Sequence, residues 1–208
     1  MKANRNIVKW IMLLMFCVMV LVACDTSTEA PEVVPPDAPE EVTNEDTTEK
    51  NDDPLKELGF IYKDNAIVIS DTVDDQKIEN LLGKADEIKS HTYSEQDGLN
   101  MDSLNGMTEK QYQYPGLLIK TIDATADKGF FVFSIEITDP KYPTIRDIKV
   151  GDSFEKLIET YPEGRLLGGE LSDEEDDFRY EPIDYVNVMN FHIKDKKVES
   201  ILIFTLLD

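Results

Sequence analysis

The sequence predicts an α+β domain built from short strands and two helices. The first observation is the alternation of apolar and polar residues in several short runs. In residues 131–137, it places Phe131, Phe133, Ile135 and Ile137 on one face. The second is a pair of short amphipathic segments that begin with capping residues and end near a glycine. The third is the order of elements, which recurs along the chain.

The first half begins with a hairpin over residues 60–69, because Asp and Asn in its centre suit a tight turn. A helix follows over residues 73–82, with Thr72 and Asp75 as a cap pair and Gly83 as the stop. Four strands are then predicted, over residues 87–93, 110–114, 117–123 and 130–138. A long polar loop over residues 94–108 separates the first two of these strands.

The second half repeats this order, with a helix over residues 154–161 and strands over 165–171, 185–193 and 198–206. Asp152 and Glu155 are spaced as a capping box, and we expect an inward apolar face formed by Phe154, Leu157, Ile158 and Tyr161. Four positions match the first half at one constant offset: Ile67, Ile69, Asp71 and Gly83 correspond to Ile148, Val150, Asp152 and Gly164. We therefore predict two tandem repeats, approximately residues 60–138 and 144–208.

The N-terminus is typical of an export signal. Lys2, Arg5 and Lys9 precede an apolar run over residues 10–22 that is too short to span a membrane. The run closes with Leu21-Val22-Ala23-Cys24, which resembles the lipobox of bacterial lipoproteins. The resemblance implies cleavage of a signal peptide over residues 1–23 and a lipid anchor on Cys24, at the outer face of the cytoplasmic membrane. The alternative is an uncleaved N-terminal helix with an incidental cysteine.

Residues 24–54 are rich in Pro, Glu, Asp and Thr and contain no aromatic residue, so we predict a disordered acidic tether. Residues 55–208 have the length of one domain. Removal of the three positive charges of the signal takes the net charge from −22 to −25. A charge of this sign argues against a nucleic-acid partner, since phosphate backbones are bound by Lys and Arg. The sequence also predicts no cofactor, and no free cysteine thiol after lipidation.

A second resemblance rests on the segment 148–155, Ile-Lys-Val-Gly-Asp-Ser-Phe-Glu, and on Tyr161-Pro162-Glu163-Gly164. It is similar to the repeat of β-lactamase-inhibitor-like domains and of small outer-membrane-assembly lipoproteins. With Tyr112-Gln113-Tyr114-Pro115-Gly116, the domain also resembles uncharacterised lipoproteins of Gram-positive bacteria. The resemblance implies that the two repeats form one curved antiparallel sheet with the helices on a single face. It also implies protein binding or scaffolding, with no shared active site.

The residues that carry chemistry are few. His91 and His192 lie in separate predicted strands, and Ser153 lacks the small-residue elbow of a hydrolase nucleophile. Oxygen ligands of the kind that calcium requires occur in one acidic run, Asp173, Glu174, Glu175, Asp176 and Asp177. That run lacks the spacing of a calcium loop, so a solvated loop is the competing interpretation.

Aromatic side chains near a sheet surface favour protein binding. The candidate partner-binding residues are Tyr112, Tyr114, Tyr185, Asn190 and His192. We therefore expect a membrane-anchored extracytoplasmic lipoprotein that is a non-enzymatic binding module for another envelope protein. The alternatives are a cell-envelope hydrolase and a weak divalent-cation-binding domain.

Overall fold

The computed structural model of the chain describes residues 53–98, 102–123, 129–172 and 175–207. The two α-helices of this part are α1 (Asp75–Leu82) and α2 (Phe154–Thr160). Its strands are β1 (Gly59–Tyr62), β2 (Asn65–Val68), β3 (Thr72–Val73), β4 (Glu87–Thr92), β5 (Thr108–Tyr114), β6 (Leu117–Asp123), β7 (Phe130–Ile137), β8 (Arg165–Leu166), β9 (Glu175–Tyr180), β10 (Asn187–Lys194) and β11 (Lys197–Thr205). The predicted signal peptide, Cys24 and nearly all of the predicted tether lie outside the described residues.

The sheet is antiparallel throughout, which confirms the predicted α+β class. Strands β1 and β2 form a separate hairpin, and the remaining nine strands form one sheet. The order across that sheet is β4-β5-β6-β7-β11-β10-β9-β8, with β3 paired to the start of β7. The last strand of each half of the chain, β7 and β11, therefore lie side by side in the centre.

The core lies on one face of this sheet, because side chains that are paired across the strands share a face. One row of paired residues crosses six strands: Tyr112, Ile119, Ile135, Ile203, Met189 and Tyr180. All six are buried, and they belong to the same apolar cluster as Ile78 of α1 and Leu157 of α2. Both helices therefore contribute to the core that this face forms.

An irregularity in β7 changes the predicted core face. The pairing of β6 with β7 shifts between Lys120 and Thr121, so Thr121 pairs with Val132. Ile135 and Ile137 are fully buried, as predicted, but Val132 takes the next core position. Phe131 and Phe133 are only half-buried. The prediction for these two phenylalanines is wrong because a bulge interrupts the two-residue period.

The helices lie where the sequence placed them, but their caps differ. Asp74, not Thr72, caps α1, since its carboxylate accepts a hydrogen bond from the Lys77 amide at 2.7 Å. Ser153 caps α2 and accepts from the Lys156 amide at 3.2 Å. The predicted inward position of Ile158 is also wrong, because this side chain is 41% exposed.

The acidic run contains a strand that the sequence analysis missed. Glu175, Asp176 and Asp177 lie in β9, paired with β10, and not in a solvated loop. Asp173 and Glu174 lie outside the described residues. The predicted strand over 165–171 is only Arg165–Leu166 in the structure. Favourable pairing with β10 outweighs the low strand propensity of the acidic residues.

Two turns, one before α1 and one before α2, share one geometry. The Asp71 carboxylate accepts from the Val68 amide at 3.1 Å, and the Asp152 carboxylate accepts from the Lys149 amide at 3.0 Å. The residue before each aspartate has a positive φ, +68° at Ser70 and +92° at Gly151. Glycine adopts this conformation without a steric penalty, whereas serine does not.

These two turns also contact the sheet in the same way. The Ser70 amide donates to the Val132 carbonyl on β7 at 2.7 Å, and the Gly151 amide donates to the Val198 carbonyl on β11 at 2.8 Å. In return, the Val132 amide donates to Asp71 and the Val198 amide donates to Asp152, each at 2.9 Å. Each turn therefore joins its half of the chain to a central strand.

Within the described residues, no helix has both the length and the apolar character needed to cross a membrane.

Candidate protein-binding surface

The predicted contact residues fall into two groups. Tyr112 and Tyr114 are 1% and 5% exposed, so burial removes them from any contact surface. The Tyr112 hydroxyl donates to Asp75 at 2.6 Å, and the Tyr114 hydroxyl donates to the Gly83 carbonyl at 3.1 Å. Burial raises the pKa of Tyr114 to about 12, and that of Tyr112 rises for the same reason. In contrast, Tyr185 is 76% exposed.

Tyr185 belongs to an exposed apolar group that we name the Tyr185 patch, consisting of Ile183, Tyr185 and Leu206. Ile183 is 54% exposed and Leu206 is 48% exposed. Ile183 and Tyr185 lie in the connection between β9 and β10, and Leu206 follows β11. The Leu206 amide donates to the Val186 carbonyl at 2.9 Å, which holds the C-terminal segment beside this connection.

The backbone of the patch is held by Asp184. Its Oδ1 atom accepts hydrogen bonds from the Val186 and Asn187 amides, both at 2.9 Å. The side-chain Nδ2 atom of Asn187 also donates to Asp184 Oδ1, at 3.2 Å. These hydrogen bonds hold the pKa of Asp184 below its usual range. Aspartate commonly stabilises turns by bonding to backbone amides two and three residues ahead. The two large side chains on either side of Asp184 therefore project from a pre-organised turn.

A second network lies where the described chain begins. Arg146 Nη2 is 2.5 Å from Glu57 Oε2 and 2.9 Å from the Tyr180 hydroxyl, which in turn donates to Glu57. The Nη1 atom of Arg146 donates to Glu163 and to the Thr160 carbonyl, both at 3.1 Å. The guanidinium also lies 4.9 Å from the centre of the Tyr180 ring. Arg146 therefore ties the short 3-10 helix that contains Glu57 to β9 and to the end of α2.

An open cavity of about 360 Å³ adjoins this network. Its lining includes Lys56, Arg146, Tyr180 and Pro182. Pro182 directly precedes Ile183, so the cavity and the Tyr185 patch are connected through one residue. Both Nη atoms of Arg146 are already bonded to protein acceptors.

His192 lies on the sheet face opposite the core, in an ion-pair cluster. Its Nδ1 atom is 3.1 Å from Asp177, and its Nε2 atom is 3.5 Å from Glu199 and 3.8 Å from Glu175. Lys194 binds Glu175 at 2.9 Å, which lowers the pKa of that carboxyl. A histidine base in a hydrolase would face a nucleophile on one nitrogen, whereas here carboxylates face both nitrogens. Neither this cluster nor any other group of His, Cys, Asp or Glu side chains in the described part of the chain has the arrangement needed to hold a metal ion.

The two remaining polar candidates are also engaged. Asn190 is half-buried, and its side-chain oxygen accepts from Arg179 Nε at 2.9 Å. His91, near the end of β4, has its Nε2 atom 3.2 Å from Asp97 Oδ2. The structure therefore does not bring His91 and His192 together, because they lie in strands on different halves of the sheet.

Sequence analysis missed Ile183, Leu206 and Arg146. An Asp between two large apolar residues, Ile183-Asp184-Tyr185, is a signal that could have indicated an exposed turn. Arg146 had no such signal, since its partners are 89, 34 and 17 residues away in the chain.

Comparisons with protein-family models, with curated proteins and with solved structures find no match for this chain.

Proposed function

We propose that this chain is a membrane-anchored extracytoplasmic lipoprotein and a non-enzymatic module that binds another envelope protein. The observation that carries the proposal is the Tyr185 patch, in which two large apolar side chains are exposed on a braced turn and a third is exposed on the segment bonded beside it. Tyrosine and isoleucine anchors of this kind contribute most when they enter a pocket of the partner. Because Asp184 already fixes the turn, little conformational entropy is lost on binding.

The charge around the patch supports a partner with a basic rim. Asp184 lies within the patch and Glu181, which is ion-paired with Arg165 and Arg179, precedes it in the sequence. The whole chain has a net charge of −22. Opposite charges at the edge of an interface increase the rate of association and fix its orientation. We therefore expect binding that weakens as salt concentration rises, although the apolar centre keeps part of the affinity at high salt.

The position of the module is the second part of the proposal. The lipobox resemblance at residues 21–24 supports an anchor on Cys24, and the composition of residues 24–54 supports a tether of about 100 Å at most when fully extended. The domain then contacts a protein rather than the lipid surface.

The third part concerns architecture: we propose that the two halves are tandem repeats that form one curved sheet. The paired turns at Asp71 and Asp152, with their matching bonds to β7 and β11, support an internal two-fold relation. The arrangement of four strands after each helix, with β7 and β11 in the centre, supports it as well.

Site-specific crosslinking in intact cells tests the binding function. A photo-crosslinking residue placed at Leu206 should capture one envelope protein reproducibly, because this position lies in the patch. The same residue at Glu79, exposed on α1, is the matched control and should capture nothing. Tyr185→Ala should abolish capture from Leu206 without changing the thermal stability, since the side chain is mostly exposed.

Asp184→Ala tests whether binding requires the turn to be held by Asp184 or requires only the exposed apolar side chains. It leaves Ile183 and Tyr185 in place but removes the hydrogen bonds to two backbone amides, so capture from Leu206 should fall several-fold. Equal capture by the wild-type protein and by Tyr185→Ala, or capture from Glu79 at the same yield, would show that the patch is not the binding surface.

A further inference from the structure

The edge strand β4 is open on one side. All six of its residues are exposed, and it pairs with β5 alone among the described residues. The opposite edge of the sheet, β8, has only two residues. Long edge strands with free backbone groups are sites where another strand adds, unless charge, proline or a covering segment prevents it.

The register shows which backbone groups point outward. The Tyr93 amide donates to the Met107 carbonyl at 2.9 Å, in continuation of the β4–β5 pairing. Antiparallel pairs alternate between hydrogen-bonded and non-hydrogen-bonded positions. Ile88, Ser90 and Thr92 are therefore the residues whose amide and carbonyl groups face away from β5. The 3.0 Å contact between the side chains of Thr92 and Thr108 agrees, since side chains are closer at non-hydrogen-bonded pairs.

Ile88 adds an apolar element to the same edge. It pairs with Tyr112 and so ends the buried row that crosses the sheet, but it is itself 53% exposed. A strand placed beside β4 with an apolar residue next to Ile88 would extend the core by one position. The edge therefore offers backbone hydrogen bonds together with one apolar contact.

The charge of the chain indicates what kind of segment would add beside β4. From Lys84 to Asp97 there are two lysines and four acidic residues, and the whole chain carries −22. A second copy would bring the same large negative charge to the edge, which opposes self-association. A cationic segment is instead attracted.

We propose that β4 is a docking edge for an extended, cationic segment of a partner protein, which adds beside it as a further strand. Backbone bonds to Ile88, Ser90 and Thr92 hold the segment. Its apolar side chains face Ile88, and its basic side chains lie on the opposite side, where Glu87, Lys89 and His91 alternate along β4. Because Glu87 is ion-paired with Lys89 at 3.2 Å, the attraction for a cationic segment comes from the charge of the whole chain. This edge is separate in the chain from the Tyr185 patch, so the proposal stands independently of the patch.

The test uses the full-length chain and a fluorescent eight-residue peptide of alternating lysine and valine. Its affinity is compared with that of the same peptide methylated on alternate backbone nitrogens, which retains charge but cannot donate to β4. Methylation should weaken binding at least tenfold. Ser90→Pro should have the same effect, because it removes an outward amide that β5 does not use. Ser90→Thr is the matched control and should bind as the wild-type protein does.

Amide hydrogen exchange gives the second readout. Peptide binding should slow exchange at Ile88, Ser90 and Thr92 at least tenfold, while Lys89 and His91, already bonded to β5, change little. The proposal is overturned if the methylated peptide binds equally well, if a glutamate–valine peptide replaces the lysine peptide without loss, or if no peptide binds at millimolar concentration. A concentration-dependent dimer that Ser90→Pro abolishes would show that the occupant is a second copy instead.

Discussion

Raising the pH from 10 to 12 should progressively destabilise this protein, because unfolding then exposes several buried tyrosines that ionise more readily in the unfolded chain. Tyr161 is fully buried and Tyr114 is 5% exposed. Burial raises the pKa of each to about 12. The pKa values of Tyr112 and Tyr180 are raised as well, first by burial and then by hydrogen bonds to Asp75 and Glu57.

The sign and size follow from proton linkage. A tyrosine with a raised pKa in the folded state contributes stability that is fully present below about pH 10, the unfolded value, and is lost as the pH rises to the folded value. For a shift from about 10 to about 12, the loss is roughly 1.4 kcal/mol at pH 11 and about 2 kcal/mol at pH 12. The raised pKa values of Tyr161 and Tyr114 together therefore remove about 4 kcal/mol from the free energy of unfolding at pH 12. This loss approaches the whole stability of many domains.

The assay is urea unfolding at intervals from pH 8 to pH 12, with tyrosinate absorbance and far-ultraviolet circular dichroism recorded on the same samples. Tyr161→Phe should be about 1 kcal/mol less stable than the wild-type protein at pH 8, since the Tyr161 hydroxyl donates to Thr144 at 2.9 Å. It should be about 1 kcal/mol more stable than the wild-type protein at pH 12, because it is spared the loss of about 2 kcal/mol. Tyr185→Phe, at an exposed position, is the control and should follow the wild-type curve. Ionisation of all tyrosines near pH 10 without loss of secondary structure would refute the reasoning.

Three further predictions test packing, an ion pair and the anchor. Gly164→Ala should destabilise the domain by about 1–3 kcal/mol in urea unfolding, because an added Cβ would lie 2.3 Å from the Phe178 ring, whereas Gly168→Ala should change little. Hydrogen bonds from Lys110 and Tyr112 lower the pKa of Asp75, so Asp75→Asn should reduce the free energy of unfolding at neutral pH. The difference in stability between this variant and the wild-type protein should disappear as the pH falls through that lowered pKa. Cys24→Ser should move the protein from the membrane fraction to the supernatant in cell fractionation; unchanged fractionation would contradict lipidation.

Strand positions were predictable where the two-residue period is regular. The predicted strand over residues 117–123 coincides with β6, and the predicted helices match α1 and α2 to within two residues. Prediction failed at β9, because its strand character comes from pairing with β10 and not from its acidic composition. It failed at Phe131 and Phe133 because a bulge reverses which residues face the core.

The candidate surface was only partly predictable. Tyr185 was identified from its residue type, but Tyr112 and Tyr114 have the same type and are buried. The difference lies in the elements that carry them: Tyr112 and Tyr114 lie on a strand facing the core, and Tyr185 on a connection. Ile183 is close to Tyr185 in the sequence, whereas Leu206 is brought beside this connection only by the hydrogen bond between Leu206 and Val186.

The sequence by itself determined the α+β class, the two helices and most strands of the domain, because these depend on local periodicity and on residues that cap or stop an element. Tertiary structure alone decided the order of strands across the sheet and the central pairing of β7 with β11, whose partners are distant in the chain. It also decided the Arg146 network and the open edge at β4. Those features depend on which surfaces remain uncovered when all strands have found partners, and no local pattern contains that information.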